Sequence, residues 1–78
     1  MTTFNEATTA RSHALDTLIT AAEGVARSED YGDMIGAIRF VELAADQARR
    51  AVVAEARAAG TPWQEIGEEL GGTPQAAE

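Results

Sequence analysis

An all-α fold is predicted for this 78-residue chain by its glycine and proline positions and by its apolar periodicity. No proline interrupts the segments 4–28 and 33–59, and both are rich in alanine, the best helix former. We expect one domain, residues 1–78, in which two long helices form an antiparallel hairpin. A shorter helical segment follows the hairpin.

The first helix is predicted over residues 4–28, because apolar residues recur there at helical spacing. With a rotation of about 100° per residue, one face of this helix contains Phe4, Ala7, Ala14, Leu15, Leu18, Ile19, Ala22, Val25 and Ala26. The polar turn SEDYGD, at 28–33, ends this helix. Either Asp30 or Asp33 can cap the next one.

The second helix, predicted over 33–59, is apolar on more than one side. Its main seam contains Met34, Ile38, Val41, Ala45, Ala48, Val52 and Ala59. A further side contains Phe40, Leu43, Ala44, Ala51, Ala54 and Ala58. One partner helix cannot cover so wide an arc, so we expect this further side to be the interface of a homodimer in a four-helix arrangement. The alternative is that the C-terminal segment folds back over it.

Arg11 and Glu55 are charged residues that fall within or beside these apolar arcs. In a hairpin that turns near residues 29–32, the two positions come roughly level. The sequence therefore predicts an ion pair that fixes the register of the two helices. The alternative is that Arg11 extends along the surface to solvent.

A third helix is predicted over 62–70, with Thr61 as N-cap and Gln64 completing a capping box. Gly71 and Gly72 end it, and Thr73 caps a helix stub over 74–78. Two short helices joined by a tight glycine turn are the outline of a helix-turn-helix.

Residues 58–77, AAGTPWQEIGEELGGTPQAA, resemble the helix-turn-helix segment of small regulators from actinobacteria and their phages. The resemblance implies DNA binding and transcription regulation. It implies a motif core of Trp63, Ile66 and Leu70, with Gly67 at the helix crossing and Gly71 in the turn. It also implies a recognition helix opened by Thr73, Pro74 and Gln75, in which Gln75 contacts a base or a phosphate.

The chain departs from the family pattern at three places. Position 72, usually apolar in the family, is Gly, and position 74, often basic in the family, is Pro. The chain also ends before the family's arginine-rich turn. Three interpretations stay open. The chain is part of a longer DNA-binding protein, or it keeps the fold as a protein-interaction surface, or its acidic end binds a basic partner.

The charge and composition of the chain limit its possible functions. The net charge of −7 disfavours binding of the whole chain to DNA. The candidate phosphate contacts lie on the second helix: Arg39, Arg49, Arg50 and Arg57. The alternative function is a helical protein–protein interaction module that does not bind DNA.

Other classes of function find no support in the residue pattern. There is no Cys and only one His, and no nucleophile is spaced to work with a base. We therefore expect no enzyme activity, metal, cofactor or small-molecule ligand. The N-terminus has no apolar signal core and no run approaches a membrane span, so a cytoplasmic protein is expected.

Overall fold

The computed structural model describes residues 3–71, which form three helices: α1 Phe4–Ala26, α2 Tyr31–Ala58 and α3 Trp63–Glu69. The fold is all-α, as predicted. The two long helices pack against each other as an antiparallel hairpin, and α3 follows and contacts α2. The predicted stub at 74–78 lies outside the described residues.

The start of α1 carries a capping box that the sequence analysis missed. The Glu6 N–H donates to the Thr3 hydroxyl at 3.1 Å, and the Thr3 N–H donates to the Glu6 carboxylate at 3.0 Å. The backbone and hydroxyl of Thr3 both stabilise the charged carboxylate and lower the pKa of Glu6. The T-x-x-E spacing at residues 3–6 is the signal that identifies such a box.

The connection between the long helices is shorter than the predicted turn. The Asp30 carboxylate accepts a hydrogen bond from the Asp33 N–H at 2.8 Å, so α2 begins at Tyr31 and not at residue 33. α1 ends at Ala26, before the predicted residue 28. The Ser28 hydroxyl donates to the Gly24 carbonyl at 2.9 Å and satisfies one of the last acceptors of α1.

The seam between α1 and α2 is built mainly from alanine. Ala7, Ala44 and Ala48 are 1%, 5% and 4% exposed. Partly buried positions extend the seam at alternating spacings of three and four residues, as in a coiled coil. In α1 they are Arg11, Ala14, Leu18, Ala21 and Val25, and in α2 Met34, Ala37, Val41, Ala51 and Glu55.

Several large side chains that the periodicity placed in the seam lie beside it. Ile19 of α1 is 56% exposed, and Ile38 and Val52 of α2 are 44% and 42% exposed. The physical reason is that two helices approach most closely where their side chains are small. Each helix therefore turns its alanine stripe, and not its bulkiest stripe, toward the other.

α2 ends in a Schellman motif. The Thr61 N–H donates to the Ala56 carbonyl at 2.9 Å, and the Gly60 N–H donates to the Arg57 carbonyl at 3.0 Å. Gly60 takes a φ of +95°, a left-handed conformation that favours glycine. The predicted Thr61–Gln64 capping box is wrong. Pro62 is the N-cap of α3, and no side chain caps that helix.

One side chain docks α3 on the hairpin. Ile66 is 8% exposed and lines a groove with Leu15 of α1 and with Ala45 and Val52 of α2. α3 therefore does not fold back over the further side, as the alternative required: it packs on the flank with Ala45 and Val52, and Phe40 and Leu43 stay exposed. The molecule still measures only 15 Å in its thinnest dimension, and no large side chain within residues 3–71 is fully buried.

Candidate nucleic-acid interface

Three predicted phosphate contacts line one open cleft where α2 meets α3. Arg49, Arg50 and Arg57 surround it, with Phe4 and Trp63 at its edges, and its volume is about 830 Å³. Its remaining lining is aliphatic, and no carboxylate lines it among the residues that the structure describes. We call this site the arginine cleft.

Each arginine of the cleft is held differently. Arg50 pairs with Asp46 one turn earlier, with 3.0 Å between Nε and the carboxylate, and both side chains are largely exposed. Arg57 donates to the Thr61 carbonyl at 2.8 Å. Arg49 forms no ion pair within residues 3–71. Arg57 forms no ion pair in that range either, so of the three guanidinium charges only that of Arg50 is paired with a carboxylate.

Trp63 belongs to the cleft and not to a packed core. Its side chain is 61% exposed, and the Arg57 guanidinium lies 4.6 Å from the ring centroid, at cation–π distance. The prediction that Trp63 packs in the motif core is wrong. Trp63 is the first residue of α3, and its ring lies against the end of α2.

The other residues of the predicted motif core divide into two groups. Ile66 is buried and Gly67 is half-buried, as a core requires, and Gly71 has a φ of +74° at the predicted turn. Leu70 is 54% exposed, which contradicts its predicted core role; it lines the same open groove as Ile66. The predicted DNA contacts Thr73 and Gln75 lie outside the described residues.

Arg39, the fourth predicted phosphate contact, lies apart from the cleft. It shares a shallow depression with Gly36, Phe40 and Leu43, nearer the start of α2. The four arginines therefore do not form one continuous track.

The predicted dimer interface is also divided by the structure. Ala44 and Ala51 are wrong as interface residues, because they form part of the seam with α1. Phe40 and Leu43 are 68% and 59% exposed, and Ala54 lines the arginine cleft. Beside Phe40 and Leu43, the nearby surface is largely polar: His13, Asp16, Thr17, Thr20 and Gln47.

Arg11 and Glu55 form the predicted ion pair across the hairpin. The Arg11 Nε and Nη2 atoms donate to the two Glu55 oxygens at 2.8 and 3.1 Å. The Thr8 hydroxyl donates to Glu55 at 2.7 Å. The sequence analysis missed Thr8, although it lies one helical turn before Arg11 on the same side of α1.

The pair alters the ionisation of both partners. Hydrogen bonds from Arg11 and then Thr8 lower the pKa of Glu55, and the Glu55 carboxylate raises the pKa of Arg11. A carboxylate with a lowered pKa in the folded state stabilises the fold above its unfolded pKa, about 4.3 for Glu. That contribution disappears as the pH falls through the folded pKa.

We therefore expect Glu55→Gln to lower the melting temperature at pH 7, with a deficit that shrinks as the pH falls from 5 toward 3. The measurement is thermal unfolding of both proteins by circular dichroism across this range. Glu42→Gln, an exposed change on α2, is the matched control and should follow the wild type. A deficit that stays constant with pH would show that the charge of Glu55 does not support the fold.

Within residues 3–71, no group of three or more His, Asp and Glu side chains is arranged to hold a metal ion. No helix of that range is both long and apolar enough to cross a membrane. Comparisons with protein-family models, with curated proteins and with solved structures found no match.

Proposed function

We propose that this protein is a small helix-turn-helix-like regulatory protein that contacts DNA through the arginine cleft and the segment after α3. The arginine cleft is the observation that supports it. Half of the six basic residues of a chain with net charge −7 line this one site. Contacts to phosphate come first in DNA binding, and arginine is well suited to make them.

The position of the cleft fits this proposal. Trp63 lines the cleft and opens α3, the first helix of the segment that resembles the regulators. Phosphates held by Arg49 and Arg50 would therefore lie beside that segment. α3 itself carries Glu65, Glu68 and Glu69 and no basic residue, so the attraction to DNA at this end would come from the arginines of α2. We expect such a regulator to act in the cytoplasm.

Fluorescence anisotropy with a random DNA duplex across a salt series tests the proposal. We expect binding at low salt that weakens steeply as salt rises. Arg49→Gln should weaken it and reduce the slope of log K against log salt by about 1. Arg39→Gln is the matched control, because it removes the same charge from α2 outside the cleft, and it should change binding less.

Two outcomes would count against this function. A wild-type protein that shows no binding even at low salt would exclude DNA contact by this chain. Equal losses from Arg39→Gln and Arg49→Gln would mean that overall charge, and not the cleft, governs binding.

A helical protein–protein interaction module is the second candidate function. It is favoured by Phe40 and Leu43, which lie side by side on α2 and stay 68% and 59% exposed. Apolar surface of this kind marks interaction sites when it is contiguous. Absence of DNA binding in the salt series, with binding of a protein partner abolished by Phe40→Lys, would favour this function over the first.

A further inference from the structure

The arginine cleft contains two aromatic rings as well as three arginines. Trp63 and Phe4 lie at its edges, and their side chains are 61% and 49% exposed. Contact with DNA phosphates accounts for the arginines. It does not account for the rings, because the face of an aromatic ring carries negative charge density and does not attract a phosphate.

The Trp63 ring is held in place by Arg57. The Arg57 guanidinium lies 4.6 Å from the ring centroid, and it also donates to the Thr61 carbonyl at 2.8 Å. The hydrogen bond ties the guanidinium to the turn between α2 and α3, where it lies against the ring. Trp63 is thus a preorganised flat surface, most of which stays open to a ligand.

The rest of the lining limits the kind of ligand that fits. Its other members, Val53, Ala54 and Ala58, are aliphatic, and no amide, hydroxyl or carboxylate side chain lines the cleft within residues 3–71. The cleft can therefore attract negative charge through its arginines and can cover flat, weakly polar surface. A chain of phosphates that carries unpaired bases has both of these features.

We propose that the arginine cleft binds single-stranded DNA, with an unpaired base stacked on Trp63 and the adjoining phosphates held by Arg49 and Arg50. This inference rests on the proposed function, since it needs a cleft that attracts phosphates, and it names the form of DNA that the cleft prefers. In a duplex the base faces are stacked on each other and cannot reach Trp63. In a single strand they can, and base stacking on aromatic side chains within a basic groove is how many proteins bind single strands.

The carboxylates near the cleft favour the same ligand. Those that are close to it in sequence but outside its lining are Glu6, Glu42, Asp46, Glu55, Glu65, Glu68 and Glu69. Asp46 and Glu55 are paired with Arg50 and Arg11, whereas the carboxylates of α3 form no ion pair within residues 3–71. A duplex is stiff over about 150 base pairs, so one that lies across the cleft also passes these charges. A flexible single strand can enter the cleft and turn away from them.

Fluorescence anisotropy with three labelled probes of equal length tests the proposal: oligo(dT), a random duplex and a strand of abasic sites. We expect oligo(dT) to bind more tightly than the duplex at the same salt concentration. Electrostatic attraction alone predicts the opposite order, because the charge density of a duplex is higher. The abasic strand keeps the phosphates and lacks the bases, so it should bind at least about fivefold more weakly than oligo(dT).

Substitutions of Trp63 separate stacking from packing. Trp63→Leu keeps an apolar side chain but removes the aromatic face, so it should weaken oligo(dT) binding at least about fivefold and leave the affinity for the abasic strand unchanged. Trp63→Phe keeps a ring and should retain most of the binding. Phe40→Leu is the matched control, because it removes a 68% exposed ring outside the cleft, and it should change neither affinity. Far-ultraviolet circular dichroism confirms that each variant keeps its helices.

Failure of this inference is distinguishable from failure of the proposed function. If neither oligo(dT) nor the duplex binds at low salt, the proposed function fails and this inference fails with it. If the duplex binds while oligo(dT) and the abasic strand bind equally, the cleft holds phosphates alone and only this inference is overturned. Trp63→Leu that acts no differently from Phe40→Leu would overturn it as well. So would a peptide of alternating aspartate and leucine that binds more tightly than oligo(dT), which would assign the cleft to an acidic protein partner.

Discussion

Ala48→Leu is expected to lower the free energy of unfolding by about 1–3 kcal/mol. Ala48 is 4% exposed in the alanine seam, where α1 and α2 approach most closely. Three additional carbon atoms overfill this seam, so the helices must separate or the side chain must leave its preferred rotamer toward the groove that Ala48 also lines. For a domain of this size, each kcal/mol corresponds to about 4–8 °C in melting temperature.

Urea and thermal unfolding at one fixed protein concentration measure this effect, since a dimer would make stability depend on concentration. Ala54→Leu is the matched control, because Ala54 is exposed on the same helix. It should change the free energy of unfolding by less than about 0.5 kcal/mol. If the two substitutions cost the same, the alanine stripe is not the contact between α1 and α2.

The alanine seam also shows what periodicity predicted and what it could not. The existence and approximate limits of the three helices followed from apolar spacing and from the positions of Gly and Pro. Which stripe faces the partner did not follow, because two neighbouring apolar stripes satisfy the same period. Met34, Val41 and Ala48 of the predicted main seam do face α1. Ile38 and Val52 do not, and the smaller Ala44 and Ala51 of the further side take their place.

The Arg11–Glu55 pair was predictable for a different reason. A charge inside an apolar arc needs a partner, and the short turn limits which residues come level with it. Thr8 was missed because a threonine hydroxyl on a helix, unlike a charged group in an apolar arc, does not require a specific partner. The arginine cleft was only partly predictable, since its arginines share one helix but Phe4 and Trp63 come from two others.

The exposed position of Trp63 could not be read from the resemblance. A tryptophan in an apolar motif is normally expected to pack, and Ile66 does so. The Schellman turn at Gly60 sets the angle between α2 and α3. That geometry turns Ile66 toward the hairpin and leaves Trp63 beside Arg57. The direction of such a turn depends on backbone conformation, which side-chain spacing does not report.

Ile66→Ala is expected to cost on the order of 2–4 kcal/mol and to release α3 from the hairpin. Ile66 is the buried side chain of α3, so its truncation removes the apolar contact that holds this short helix. The hairpin keeps its seam, to which Ile66 does not belong. Trp63 is the only tryptophan of the chain, so its fluorescence reports on α3 specifically.

In urea, the fluorescence transition of Ile66→Ala should therefore occur at lower denaturant than the circular dichroism transition of the long helices. Leu70→Ala is the matched control, since Leu70 is 54% exposed at the rim of the same groove. It should cost less than about 1 kcal/mol and keep the two transitions together. Equal effects of the two substitutions would mean that burial of Ile66 does not hold α3.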